Sequence, residues 1–194
     1  MKRLLLLFAA VVVMSHCATT AEQKTRPVRA ADYYPLVVGH SWTFLVTPSA
    51  PEQPQQTVEV LAEDNGWFRM SVGPPLAARA TSITDGTMDL LREPLEVGTE
   101  WVIVPSASTV LKNRIVAVDA EVKTPAGLFR DCVQVETEQQ IRARDGTKGR
   151  LVGVWTYAPH LGPIHFVRRV ELEGAPAKKD IEYSLVGYRV GGNE

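Results

Sequence analysis

The residues predict an all-β protein: an antiparallel meander forming a curved sheet, a half-barrel or a sandwich. Three observations carry that expectation. Apolar residues recur with period two or in short β-branched runs, those runs are separated by Gly, Pro, Asn and Asp, and almost nothing beyond residue 32 repeats at helical spacing. Across 194 residues, 45% hydrophobic and 22% charged content is what one globular domain with a core requires. The formal net charge of −1, which becomes −3 once the two leader cations are removed, offers no field for nucleic acid.

Residues 1–16 read as an export leader. Lys2 and Arg3 precede eleven consecutive apolar residues, Leu4 to Met14. Such a run rises only about 16 Å as a helix, well short of the roughly 30 Å hydrocarbon core, so it fits a signal segment better than a permanent span. Cys17 follows, ahead of Thr19, Thr20, Glu22, Gln23 and Lys24. That arrangement resembles a bacterial lipoprotein signal, in which the thiol is diacylated and the chain is cut just before it. A doubly acylated anchor binds a membrane essentially permanently. Ser15 fits the pattern, Met14 fits it loosely, and His16 departs from it where a small residue is usual. Ordinary cleavage after Ala18 or Ala21 is the alternative, and either route implies export. Residues 17–31 lack an apolar period and read as a lipidated cysteine followed by a tether, with the folded domain over 32–194.

Ten strands are expected, over 41–47, 56–63, 66–72, 88–92, 99–104, 110–124, 128–143, 148–158, 163–173 and 179–190. Turn chemistry bounds them. Asp64-Asn65-Gly66 and Arg144-Asp145-Gly146-Thr147 tolerate positive φ in tight hairpins, and Thr124-Pro125-Ala126-Gly127 outlines a type I turn with a bulge. From Cys132 to Glu138, alternation turns Val133 and Val135 inward and leaves Gln134, Glu136 and Glu138 on the other face.

One frame is spelled twice: Pro-Leu-x-Val-Gly-x-x-Trp occurs at Pro35–Trp42 and again at Pro94–Trp101. After each come Pro-Ser-Ala, a β-rich segment and Gly-x-Phe-Arg, the last at Gly66 and Gly127. Two copies of one β-unit would produce this order, and so would the shared grammar of hairpins. Physically, the prolines cannot donate to a ladder, the glycines permit a bend, and Trp42 and Trp101 then plug a core. The functional alternative makes the indoles a stacking platform for a ligand.

These frames, with Thr124-Pro125-Ala126-Gly127-x-Phe129-x-x-Cys132 and Trp155-x-Tyr157-Ala158-Pro159-x-x-Gly162, resemble a group of bacterial envelope lipoproteins without an assigned activity. The resemblance covers most of the chain after the leader. It implies a lipid-anchored β-domain, with a curved antiparallel sheet like those of lipoprotein carriers, and it transfers no catalytic residues. His160-Leu161-Gly162 departs mildly from the group's last motif.

Reactive groups are sparse. Cys132 opens an apolar strand and reads as a buried small side chain, with no disulfide partner if Cys17 is acylated. His40, His160 and His165 lack neighbours at metal-ligand spacing and read as surface residues; Asp85 and Asp89 flank a polar turn; no Gly-x-Ser-x-Gly elbow or phosphate loop occurs. The reading is therefore a non-enzyme with no metal and no cofactor. Two hypotheses follow. One is a binding module, holding a lipid or other hydrophobic ligand in a concavity lined by Trp42, Trp101, Phe129, Trp155 and Phe166. The other is an assembly protein docking onto another envelope component. Arg142, Arg144, Lys148 and Arg150 crowd one hairpin tip, either as a contact for anionic headgroups or as a solvated guard of a sheet edge. The membrane is the one partner common to both, through Cys17. Ala18 in place of Asp after Cys17 points, by analogy, to the periplasmic face of the outer membrane.

Overall fold

The computed structural model describes residues 27–50, 53–106 and 109–191. The leader, Cys17 and most of the tether lie outside the described residues. The order is α1 (Ala30–Tyr33), β1 (Ser41–Ala50), β2 (Gln53–Asp64), β3 (Trp67–Met70), β4 (Ala77–Ala78), β5 (Ser82–Thr84), β6 (Asp89–Arg92), β7 (Glu100–Ser106), β8 (Thr109–Thr124), β9 (Gly127–Arg142), β10 (Lys148–Ala158), β11 (Gly162–Leu172) and β12 (Lys178–Arg189). Nine strands form one antiparallel sheet in the order β3-β2-β1-β12-β11-β10-β9-β8-β7, curved but not closed, and β4-β5-β6 form a second, small sheet. The expected all-β class and curved meander are therefore present, as an open sheet.

All ten expected strands occur; β4 and β5 are additional. Their residues, Ala77-Ala78 and Ser82-Ile83-Thr84, are too few to display an alternation, and Ala disfavours strands, so only packing makes them extended. The packed body also starts slightly before residue 32. Ala30 is buried, and its amide donates to Glu93 Oε1 at 2.8 Å.

The two frames share their glycine bend and cross-strand bonds, although the Glu93-Pro94 bond is cis and the Tyr34-Pro35 bond is not. Gly39 and Gly98 take φ of 87° and 94°, a region nearly closed to residues with a Cβ. Their amides donate to Val60 and Ile115 carbonyls at 2.9 Å, and the Val60 and Ile115 amides donate back to His40 and Thr99 carbonyls at 2.9 Å. Side chains repeat the match: His40 Nδ1 lies 3.1 Å from the Pro35 carbonyl oxygen and Thr99 Oγ1 donates to that of Pro94 at 2.8 Å. Each frame thus clamps the entry of a strand, β1 or β7, to the middle of the strand after it. The β1–β3 and β7–β9 units lie at opposite ends of the large sheet in the same sense.

The core fills the space between one face of the curved sheet and the lid made by α1 and the small sheet. Tyr33, Trp42, Ile83, Leu91, Ile115 and Leu185 are each no more than 1% exposed. Cys132 and Val133 are buried in succession, which regular alternation forbids. Asp131, at φ 56°, lies in one slip of the β8–β9 register, and a second slip, between the Ala120–Cys132 and Ala117–Gln134 pairs, spans the step from Cys132 to Val133 and breaks the alternation there.

Candidate functional site

A row of large side chains crosses the inner face of the sheet. Trp155 on β10 stands opposite Val135 on β9 and Phe166 on β11, and Phe166 stands opposite Tyr183 on β12. Trp155 and Phe166 stack with centroids 4.5 Å apart and planes at 26°, while Tyr183 meets Phe166 at 6.0 Å and Phe44 at 6.2 Å. Gly153 on β10 leaves room for this: a Cβ there would stand 3.0 Å from the Phe166 ring. Met88 and Leu90, from the small sheet and its approach, face the row from above.

Between the row and this lid runs a groove of two lobes. The smaller has a volume of about 200 Å³ and the larger about 390 Å³. Met88, Leu90, Trp155 and Phe166 belong to both walls, so the lobes meet at a waist. The larger lobe is walled mainly by apolar side chains, with Gln56 and Asp85 as its polar exceptions beside the tyrosines Tyr34 and Tyr183. The smaller adds Asp89, Asn113, Thr137, Gln139 and Arg168 to its wall. Together they match the size and mostly apolar character of small-molecule sites.

The five aromatic residues singled out from sequence separate into two groups. Trp155 and Phe166 form the waist. Trp42 and Trp101 are 1% and 5% exposed and line neither lobe. Trp42 Nε1 donates to the Leu161 carbonyl at 2.8 Å, and Trp101 Nε1 donates to that of Asp89 at 2.9 Å, which ties β7 to β6. Phe129 packs against the core near the start of β9, also away from both lobes. Sequence reasoning did not find Tyr34, Phe44, Tyr157 or Tyr183 on the site. The i, i+2 pair Trp155 and Tyr157 carried a readable signal, since both must share one face of β10.

The groups considered for catalysis are engaged elsewhere. Cys132 is buried, and burial, then the Asp131 charge, pushes its thiol up to about 12. His40 corrects the surface reading of the histidines: it is 5% exposed and holds the β1 frame. His165 Nε2 lies 2.8 Å from Glu182 Oε1, whose other oxygen accepts from Lys179 Nζ at 2.6 Å; these bonds hold the Glu182 carboxyl below its usual range. Asp85 Oδ1 accepts from the Thr87 and Met88 amides, which makes it a turn residue. Among the described residues no three His, Cys, Asp or Glu gather as a ligand set. At the basic hairpin tip, Arg150 bonds both Glu138 and Glu171, so part of that charge is neutralised within the sheet.

No family model and no curated protein matches the chain. Two solved structures align with 81% of it. One, described as an exported protein with a YmcC-like fold, from Bacteroides fragilis, is 15% identical over 98% of its own chain with a TM-score of 0.42. The other, described as a lipoprotein from Parabacteroides distasonis, is 11% identical over 98% of its chain with a TM-score of 0.44. At these identities and scores neither neighbour assigns a property to this chain.

Proposed function

We propose that this protein is an exported, non-catalytic envelope lipoprotein, anchored through acylated Cys17, whose groove holds an apolar ligand. The observation that carries the reading is the waist itself: two stacked rings, Trp155 and Phe166, form the floor of a cavity instead of being covered by the core. Large apolar rings lining a concavity lose little by staying partly uncovered when a ligand completes their burial, at about 25 cal/mol per Å² of apolar surface. The leader and Cys17 support the anchor, and the structural employment of Cys132, His40 and His165 supports the non-catalytic reading.

Displacement of an apolar fluorophore tests the groove. One probe per chain is expected, lost in Trp155→Ala; uptake without a stoichiometric end point rules the site out. Cys17→Ser is expected to move the protein from the membrane to the soluble periplasmic fraction, and continued membrane association of that variant contradicts acyl anchoring.

A second reading, docking onto another envelope component, is favoured by β7. It is an edge strand whose outward Val102 and Val104 are 59% and 63% exposed. A photoreactive residue at position 104 is then expected to form a single adduct of defined mass in intact cells, and the absence of any adduct sinks this reading.

A further inference from the structure

The groove contains two phenols that packing alone does not explain. Tyr34, 8% exposed, forms part of the wall of the larger lobe, and Tyr157, 2% exposed, forms part of the smaller. Their rings meet at 5.9 Å. The Tyr157 hydroxyl reaches only the Leu90 carbonyl, at a long 3.5 Å, and the Tyr34 hydroxyl has no hydrogen-bond partner among the described residues. Among the described residues no fully buried side-chain polar atom lacks a partner, so the Tyr34 hydroxyl keeps some accessible surface, and its residue lines the larger lobe.

Once an occupant fills the lobe and expels its water, a phenol left without a partner costs about 1–3 kcal/mol, so an apolar ligand that offers an acceptor there is favoured over one that does not. Burial raises both phenols well above their ordinary value, and in Tyr157 the nearby Tyr34 adds to this, so both remain protonated donors. What they can serve is therefore an acceptor on a ligand. The charge pattern narrows its kind. The larger lobe is lined by Asp85 and by no Lys, Arg or His, and a carboxylate desolvated there would face repulsion without compensation. In the smaller lobe Arg168 is already paired with Asp180, Nε to Oδ2 at 2.7 Å.

We propose that the ligand is a long-chain acyl ester, with its tail in the larger lobe, its uncharged carbonyl accepting from the Tyr34 hydroxyl in the wall of that lobe, and its alcohol portion in the smaller lobe beside Asn113 and Gln139. This rests on the groove binding an apolar ligand at all. The test uses the full chain in amphipol, titrated with the glycerol monoester of a bromine-tipped undecanoic acid and with the matching glycerol monoether, each read by bromine quenching of tryptophan fluorescence. The expected result is that the ester binds the wild type about tenfold more tightly than the ether, as one net hydrogen bond at its upper range allows. Tyr34→Phe, whose melting temperature is checked against the wild type, is expected to reduce the ester to the level of the ether while leaving the ether unchanged. Equal quenching by both probes on the wild type, or equal weakening of both by Tyr34→Phe, overturns the ester assignment and leaves the groove standing. Quenching by neither overturns the groove reading and the assignment with it.

Discussion

Trp101 and Trp155 are both strand tryptophans on the inner side of one sheet, and the structure gives them opposite work. Replacing each with Ala separates the two kinds of work. Trp101 is 5% exposed and its indole N–H holds the Asp89 carbonyl. Trp101→Ala removes a buried indole, costing about 3–5 kcal/mol, and leaves a carbonyl without its donor, costing about 1 more. For a domain of this size a loss of 1 kcal/mol lowers the melting temperature by about 2–4 °C, so a fall of roughly 10–15 °C is expected. Trp155 is only partly buried, so Trp155→Ala loses part of an indole's burial together with the stacking on Phe166, worth about 0.5–1.5 kcal/mol beyond that burial, and is expected to lower melting by less than Trp101→Ala does. Scanning calorimetry and fluorophore displacement are measured on both variants. Trp101→Ala should melt early yet, below its transition, still bind the probe; Trp155→Ala should melt above Trp101→Ala and fail to bind. The reverse pattern, with normal melting and lost binding in Trp101→Ala, would show that the frame indoles belong to the site and refute the separation.

Three further outcomes follow from the geometry. At Gly162, φ is 111° and a Cβ would stand 3.0 Å from Trp42 ring atoms, whereas Gly174, at φ 77°, has open space. Gly162→Ala is therefore expected to lower the urea midpoint by the equivalent of about 2–3 kcal/mol and Gly174→Ala by about 1, and equal losses would remove the indole contact from the account. Glu182 has its folded-state pKa lowered, first by His165 and then by Lys179, so its contribution is present above the ordinary 4.5 and is lost as pH falls through the depressed value. Glu182→Gln should thus be less stable than the wild type at neutral pH and match it in strong acid, and a gap that persists in acid refutes the linkage. Cys132, buried and with its thiol at about 12, should resist iodoacetamide in native protein at pH 8 and react on addition of urea; prompt native labelling would place it at an accessible surface.

Much of the architecture was legible because it is written locally. The Asn65-Gly66 and Asp145-Gly146 turns, the alternation through Val133 and Val135, and the Gly39 and Gly98 bends act over a few residues, and the expected strands recur close to their expected bounds. The equivalence of the two frames was visible as spacing and became physical once the same cross-strand bonds appeared at Val60 and Ile115. Harder to read were β4 and β5, the burial of His40, and the consecutive burial of Cys132 and Val133 at a register slip, since each depends on a neighbour far along the chain.

The candidate site divides along the same line. By itself the sequence determined that aromatic residues would line the inner side of an antiparallel β-domain, because period-two alternation assigns them to a face. Which of them plug the core, as Trp42 and Trp101 do, and which floor a groove, as Trp155 and Phe166 do, only the tertiary structure decided. The physical reason is that alternation selects a face of the sheet, whereas the small sheet, packed over part of that face, determines what it covers and what it leaves open.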